Sequence, residues 1–335
     1  MTPHPLPRHP STPSGLTLIP DLGDLLRLQP QYNSATLAEL ALALGAVEVL
    51  WLSGPDPDHP ARDTFAAARL RVTELAPDWT WAEAEYAELS GFMKQYPQGQ
   101  ARLRQAAQAE RELEALLSGP LTLERLTSPQ TLSALAGYHA ALAGALEEGP
   151  GTRWQKKRLD TLTSALEGRA GVALAALDDL PGLLERLPHS TLLSAASVPP
   201  GESSRLRALA DRALLLHEDD DLSALLAALE REDGDRLTPK AELRYAAANI
   251  HLAVGDLPSA RALLEAAAHG LTDERSLPGL VLSRLGQVRD AQGERDLATR
   301  TYRAVMVLNF APQAAREAAQ SGLSTAFQLD LTPAQ

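Results

Sequence analysis

There is no cysteine in the 335 residues, which excludes disulfides, thiolate zinc sites and cysteine nucleophiles together. Aromatic residues make up only 4% of the chain. Its apolar content is mostly Ala and Leu, which favour helix and let helices approach closely. No apolar run approaches the roughly 18 residues that a membrane helix needs. Met1–Ser14 (MTPHPLPRHPSTPS) carries five prolines and lacks the apolar centre of a secretory signal. Basic charge is also short, since 31 Lys and Arg face 43 Asp and Glu for a formal net charge of −12. That balance opposes nucleic-acid binding, where basic surface supplies most of the affinity. A cytoplasmic protein without membrane or nucleic-acid partners is the expectation.

The short catalytic signatures are missing too. There is no Walker-type loop, G-x-G-x-x-G, H-E-x-x-H or G-x-S-x-G. None of the eight histidines falls within four residues of another. No catalytic residue, metal ligand or cofactor is therefore assigned.

What is present begins with a repeat. Leu243–Ala267 and Leu282–Val305 each read as an apolar-periodic helix, a Gly-Asp or Gly-Glu turn, and a second helix with Ala five residues after the Gly. The glycines, Gly255 and Gly293, are 38 residues apart, a spacing typical of helical hairpins. Asp221-Leu222 lies 35 residues before Asp256-Leu257, so Ser203–Leu216 and Leu222–Glu232 read as a degenerate first hairpin. Pro312 is expected to start a capping helix.

Upstream the pattern changes. Leu16–Pro20 reads as a short strand, Asn33 as the cap of a helix to about Leu44, and Val47–Ser53 as an apolar strand, together a parallel βαβ unit. Helices are expected over Ala61–Leu75, Trp81–Gln95, Gln100–Leu117, Gln130–Glu147 and Arg153–Glu167, with breaks at Pro77, Pro97, Gly119-Pro120, Pro129 and Gly149–Gly151. Ala170–Ala176 reads as a strand returning to the sheet, with an Ala-rich helix as the alternative. The fold class expected is mostly α, with C-terminal helical-hairpin repeats after an N-terminal α/β region that has a small parallel sheet and a large helical insertion. The boundaries expected are a disordered Pro-rich tail over 1–15, an α/β domain over 16–188 and a linker over 189–202. Repeats then occupy 203–323, with a tail over 324–335.

The second hairpin resembles the tetratricopeptide repeat. Leu285-Gly286, Ala298 and Tyr302 stand where that pattern has Leu-Gly, a small residue and an aromatic. The first copy keeps Gly255 and Ala260 but has Ala247-Ala248 and Leu264 at the other places. The resemblance implies a protein or peptide partner in a groove lined by the first helix of each hairpin. The polar residues of those helices, Arg244, Asn249, His251, Arg284, Gln287 and Arg289, are the candidate contacts. The order of elements over 15–188 also resembles the TraB-type domain, which includes Tiki-like and ChaN-like proteins. Pro20–Gly23, Ser53-Gly54 and Ala176–Asp179 stand at the places of its Gly-x-x-His and Glu motifs, without His or that Glu. No functional residue carries over, and the family chemistry is expected to be lost.

Two functions follow as alternatives. One is a non-enzymatic scaffold acting through the repeats. The other is an enzyme or ligand binder using the polar residues after the strands: Asp21, Asp24, Ser53, Asp56, Asp58, Asp178 and Asp179. Those carboxylates also suit turns and caps, and Asp178-Asp179 reads most simply as an N-cap. His217 with Glu218–Asp221 could hold a divalent ion but lacks calcium-loop spacing, and reads as a solvated turn. Arg153–Arg158 is the one concentrated basic patch, read as a solvated helix face with Trp154 turned inward. His4 and His9 are read as chance. Leu206, Leu209 and Leu214 are expected to pack the first hairpin against the N-terminal helical part.

Overall fold

Strands buried at every position, not only alternate ones, belong inside a parallel sheet covered on both faces. Leu16–Asp21 (β1) is one. The chain then reaches a helix, Ser34–Ala43 (α1), whose cap is Asn33: its Oδ1 accepts from Ala35 N and Thr36 N, both at 3.1 Å. Next come Glu48–Trp51 (β2), Pro60–Ala68 (α2) and Arg71–Glu74 (β3). A helical insertion follows: Trp81–Met93 (α3), Pro97–Leu117 (α4), Leu123–Leu126 (α5), Pro129–Leu146 (α6) and Trp154–Leu166 (α7). Gly171–Ala176 (β4), Leu180–Arg186 (α8) and Thr191–Leu192 (β5) close the sheet. All strands are parallel, in the order β3-β2-β4-β1-β5. The computed structural model describes residues 15–76, 79, 81–147, 149, 152–194, 201–271 and 275–330. The tail with His4 and His9, the breaks at Pro77 and at Pro150-Gly151, and the Pro199-Pro200 part of the linker lie outside them.

The rest of the chain is helical: Glu202–Arg212 (α9), Leu222–Arg231 (α10), Lys240–Ala253 (α11), Leu257–His269 (α12), Leu277–Ala291 (α13), Arg295–Met306 (α14) and Gln313–Ser324 (α15). Two compact units emerge. One holds 1–32, 37–56 and 70–200; the other holds 33–36, 57–69 and 201–335. Among the described residues, no helix is long and apolar enough to cross a membrane.

In the first unit, Leu18, Ile19, Val49, Trp51, Val172, Ala173 and Leu174 are buried in the sheet. Helices α4 and α6 pack together in the insertion around Met93, Ala106, Ala145 and Leu146. In the second unit, α11 packs on α12, α12 on α13, and α13 on α14 and α15. Both interhelix turns use a glycine with left-handed backbone, φ 79° at Gly255 and 80° at Gly293. Such values strain any residue with a Cβ. The Tyr302 ring lies against two further glycines. A Cβ at Gly286 would stand 2.3 Å from it and one at Gly322 2.4 Å, so α13 and α15 reach the ring only because those positions are bare.

Carboxylates from 57–69 cap two of these helices from far away in sequence. Asp58 Oδ2 accepts from Gln313 N at 2.9 Å, and Asp63 Oδ2 accepts from Ser276 N at 3.1 Å. Negative charge at a helix start is favourable because the first N–H groups lack partners there.

β1 and β2 are parallel strands of one sheet, as expected, with β4 between them. Other expectations need correction. The helix expected over Ala61–Leu75 ends at Ala68: Arg69 turns left-handed (φ 58°), and an edge strand follows. That strand, Arg-Val-Thr-Glu, has one apolar residue and is largely exposed, so it leaves almost no hydrophobic signal. The breaks at Pro97 and Pro129 are present, but the prolines themselves begin α4 and α6, ahead of the starts expected at Gln100 and Gln130, since a missing N–H costs nothing in the first turn. The linker contributes β5, and Leu193 N donates to Leu18 O at 3.1 Å. Leu214 is exposed (48%), and Leu209 packs within the core formed by α9, α10 and α11.

Candidate functional site

Adjacent strands β2 and β4 send the chain in opposite directions, to β3 on one side and β5 on the other. Parallel sheets bind ligands outside the carboxyl ends of such a pair, because the two following segments diverge and leave a crevice. A cavity of about 910 Å³ opens there, wholly within the first unit. Ser53–Asp56 line it from the end of β2, and Asp178, Pro181 and Gly182 from the end of β4. The helical insertion supplies Tyr86 from α3, Glu110 from α4, Tyr138 and His139 from α6, and Trp154, Gln155 and Arg158 from α7.

The polar groups at this site are linked. His139 Nε2 lies 2.8 Å from the Asp178 carbonyl oxygen, and Gln155 Nε2 lies 2.7 Å from His139 Nδ1. A carbonyl can only accept, so this contact puts a ring proton on Nε2; Gln155 Nε2 also lies 3.1 Å from His139 Nε2 and so touches both ring nitrogens. Arg158 reaches inward: Nε donates to Asp179 Oδ2 at 2.8 Å and Nη2 to Leu52 O at 3.4 Å. The Asp179 side chain is 1% exposed. Burial, and then the charge of Asp178, push its carboxyl up to about 6 against the pull of Arg158 and His139. The phenols of Tyr86 and Tyr138 are also raised, first by burial and next by Glu110. Ser53 Oγ and Trp79 Nε1, on two lining residues, are buried without a hydrogen-bond partner among the described residues.

Of the strand-end residues picked out in the sequence, Ser53, Asp56 and Asp178 line this cavity, and Asp179 is tied to it through Arg158. Asp179 does not cap α8; its side chain makes no cap bond and is spent on Arg158. Asp21 accepts from Gly23 N at 3.0 Å, Asp24 is exposed, and Asp58 caps α15. The basic patch divides: Arg153, Lys156 and Lys157 are exposed, whereas Arg158 turns in and Trp154 lines the cavity. In the acidic turn, Asp221 caps α10 through Ala224 N (2.9 Å), and Asp220 accepts from His217 N (2.7 Å). Among the described residues, no three His, Asp or Glu side chains gather as a metal-binding group.

The six residues expected to meet a partner are half-buried, and each has a bond inside the second unit. Arg244 donates to Ala266 O (3.3 Å), Asn249 to Tyr245 O (2.8 Å) and Arg284 to Gln287 Oε1 (2.8 Å). His251 Nδ1 lies 3.1 Å from Asp256 Oδ2, and Arg289 bonds Thr301 (2.7 Å) and Glu265 (3.1 Å).

Tyr86, Glu110, Tyr138, His139 and Gln155 were not legible as site residues. They come from four helices and share no short spacing; only the expectation of a site beyond the strand ends pointed toward them. Comparison with protein-family models, with curated proteins and with solved structures finds no match.

Proposed function

We propose that the first unit binds a small molecule in the cavity beyond β2 and β4. The supporting observation is convergence: two strand ends and four helices bring His139, Arg158 and Asp178 to one concave space at the switch point of the sheet. Its volume suits a drug-sized ligand, for which sites of roughly 300–1,000 Å³ are usual. Ala143, an exposed lining residue on α6, permits a test that spares the core. Small molecules that raise the melting temperature of the wild-type protein should bind Ala143→Trp at least tenfold more weakly. A broad library without one binder, or binders indifferent to Ala143→Trp, would overturn the reading.

A second reading concerns the other unit, as a tetratricopeptide-like array that grips a protein or peptide. It is favoured by the recurrence of one turn. Asp256 N returns to His251 O at 2.9 Å after Gly255, and Glu294 N returns to Arg289 O at 2.8 Å after Gly293. Identical turns stack hairpins in register and build a continuous binding face. Combining Arg284→Ala with Arg289→Ala should then remove captured partners from a pull-down while leaving the helical circular dichroism intact; an unchanged capture profile would sink it.

A further inference from the structure

The cavity is unusual in what lines it. Of the four tryptophans and six tyrosines in the chain, two of each are here: Trp79, Trp154, Tyr86 and Tyr138. A chain this poor in aromatics has placed four large ones at a single concave site, where all are half-buried. Aromatic faces carry negative quadrupole charge and attract cations.

The charges point the same way. Arg158 is neutralised by Asp179, Arg186 lies 3.6 Å from Asp160, and Glu147 is held by Arg102 at 2.5 Å. Arg153 and Lys156 are exposed, as is Glu110, so water and salt weaken all three charges alike. Across the whole lining the carboxylates Asp56, Glu83, Glu110, Glu147, Asp178 and Glu185 outnumber the cations Arg153, Lys156, Arg158 and Arg186, and Glu110 and Asp178 both act on the Tyr138 phenol, Glu110 on that of Tyr86 as well. Aromatic faces and these two carboxylates therefore share one region.

We propose that the cavity takes an organic cation, an amine or quaternary ammonium carried on an aromatic body, with its charge facing Glu110 and Asp178 and its rings against the tryptophans and tyrosines. The volume of about 910 Å³ exceeds what a small ammonium ion fills, which is why the aromatic body belongs to the ligand. This inference rests on the cavity being a ligand site.

Two dyes of similar size and opposite charge test it on the full chain: thioflavin T, a cation, and anilinonaphthalene sulfonate, an anion. Thioflavin T should bind the wild type at least tenfold more tightly than the anionic dye. It should lose about tenfold on combining Glu110→Gln with Asp178→Asn, and lose its binding in Ala143→Trp. Glu110→Gln alone, at an exposed position, serves if the double variant does not fold, with a loss of about threefold. Equal binding of the anionic dye, blocked by Ala143→Trp, would overturn the cation class and keep the cavity as a site. Unchanged thioflavin T affinity in Glu110→Gln and in the double variant would do the same. If neither dye binds and the library also yields nothing, both readings fall together.

Discussion

Each unit buries a carboxylate beside an arginine, and the two are handled in opposite ways. In the second unit Asp290, with a side chain 0% exposed, is fully used. It accepts from Arg295 Nη1 at 2.9 and 3.0 Å, from the Tyr302 hydroxyl at 3.0 Å and from Phe327 N at 3.0 Å. Arg295 then donates to Gly322 O at 2.7 Å and Leu323 O at 3.1 Å, tying the end of α15 to α13 and α14. In the first unit Asp179 has Arg158, its carboxyl is pushed up by burial, and Ser53 and Trp79 nearby hold unpartnered polar atoms. A closed network stabilises a fold because every desolvated group recovers its bonds. One left open keeps desolvated groups without bonds, and a ligand in the proposed site would find them there.

The largest expected effect breaks the closed network. Asp290→Ala strands the Tyr302 hydroxyl and the Phe327 amide and leaves Arg295 without its carboxylate. Removing one member of a buried ionic network costs about 3–5 kcal/mol, and the partial exposure of Arg295 (38%) sets the figure here near the lower end, at about 3 kcal/mol. Urea unfolding measures it. A loss under about 1 kcal/mol would show that the end of α15 is not held by this carboxylate.

The two units also differ in how much of each could be read from the chain. Helical hairpins repeat an apolar period, and their turns carry glycine for a backbone reason, so Gly255, Gly293 and the helix after Pro312 were legible. Gly286 was legible as the glycine of the Leu-Gly pair, though its contact, the Tyr302 ring, is set by tertiary packing. The buried strands β1, β2 and β4 were legible because short runs dominated by apolar residues carry them, although Thr17, Asp21 and Glu48 are polar. β3 was not: an exposed edge strand has no face to bury, and Arg71 and Glu74 look like helix surface. Proline told two stories, since its missing N–H both ends a helix and suits the start of one. The cavity was legible only at its strand ends. Ser53 and Asp178 follow from topology, but the side chains opposite them depend on how α3, α4, α6 and α7 fold back over the sheet.

The smaller effect sharpens the comparison by pH. Burial raises the Asp179 carboxyl from 3.8 to about 6, so in this window the folded protein binds a proton that the unfolded chain has released. Stability falls with rising pH wherever the folded state holds more protons. The contribution of Asp179 is therefore fully present below about 4 and lost as pH rises through about 6. A shift of this size corresponds to at most about 3 kcal/mol. Carboxylates pulled down by their partners, such as Glu265 beside Arg261 and Asp256 beside Ser259, act in the opposite sense, so the raw pH profile mixes both. Asp179→Asn isolates this one carboxyl, because every other group titrates in both proteins. From pH 7 to pH 4 the wild type should gain on Asp179→Asn by about 2–3 kcal/mol in urea unfolding. Asp178, Arg158 and His139 surround the group and modulate the midpoint without changing the sign. A flat difference, or a wild type that gains as pH rises, would mean that Arg158 outweighs burial and that the first unit holds its carboxylate as securely as the second.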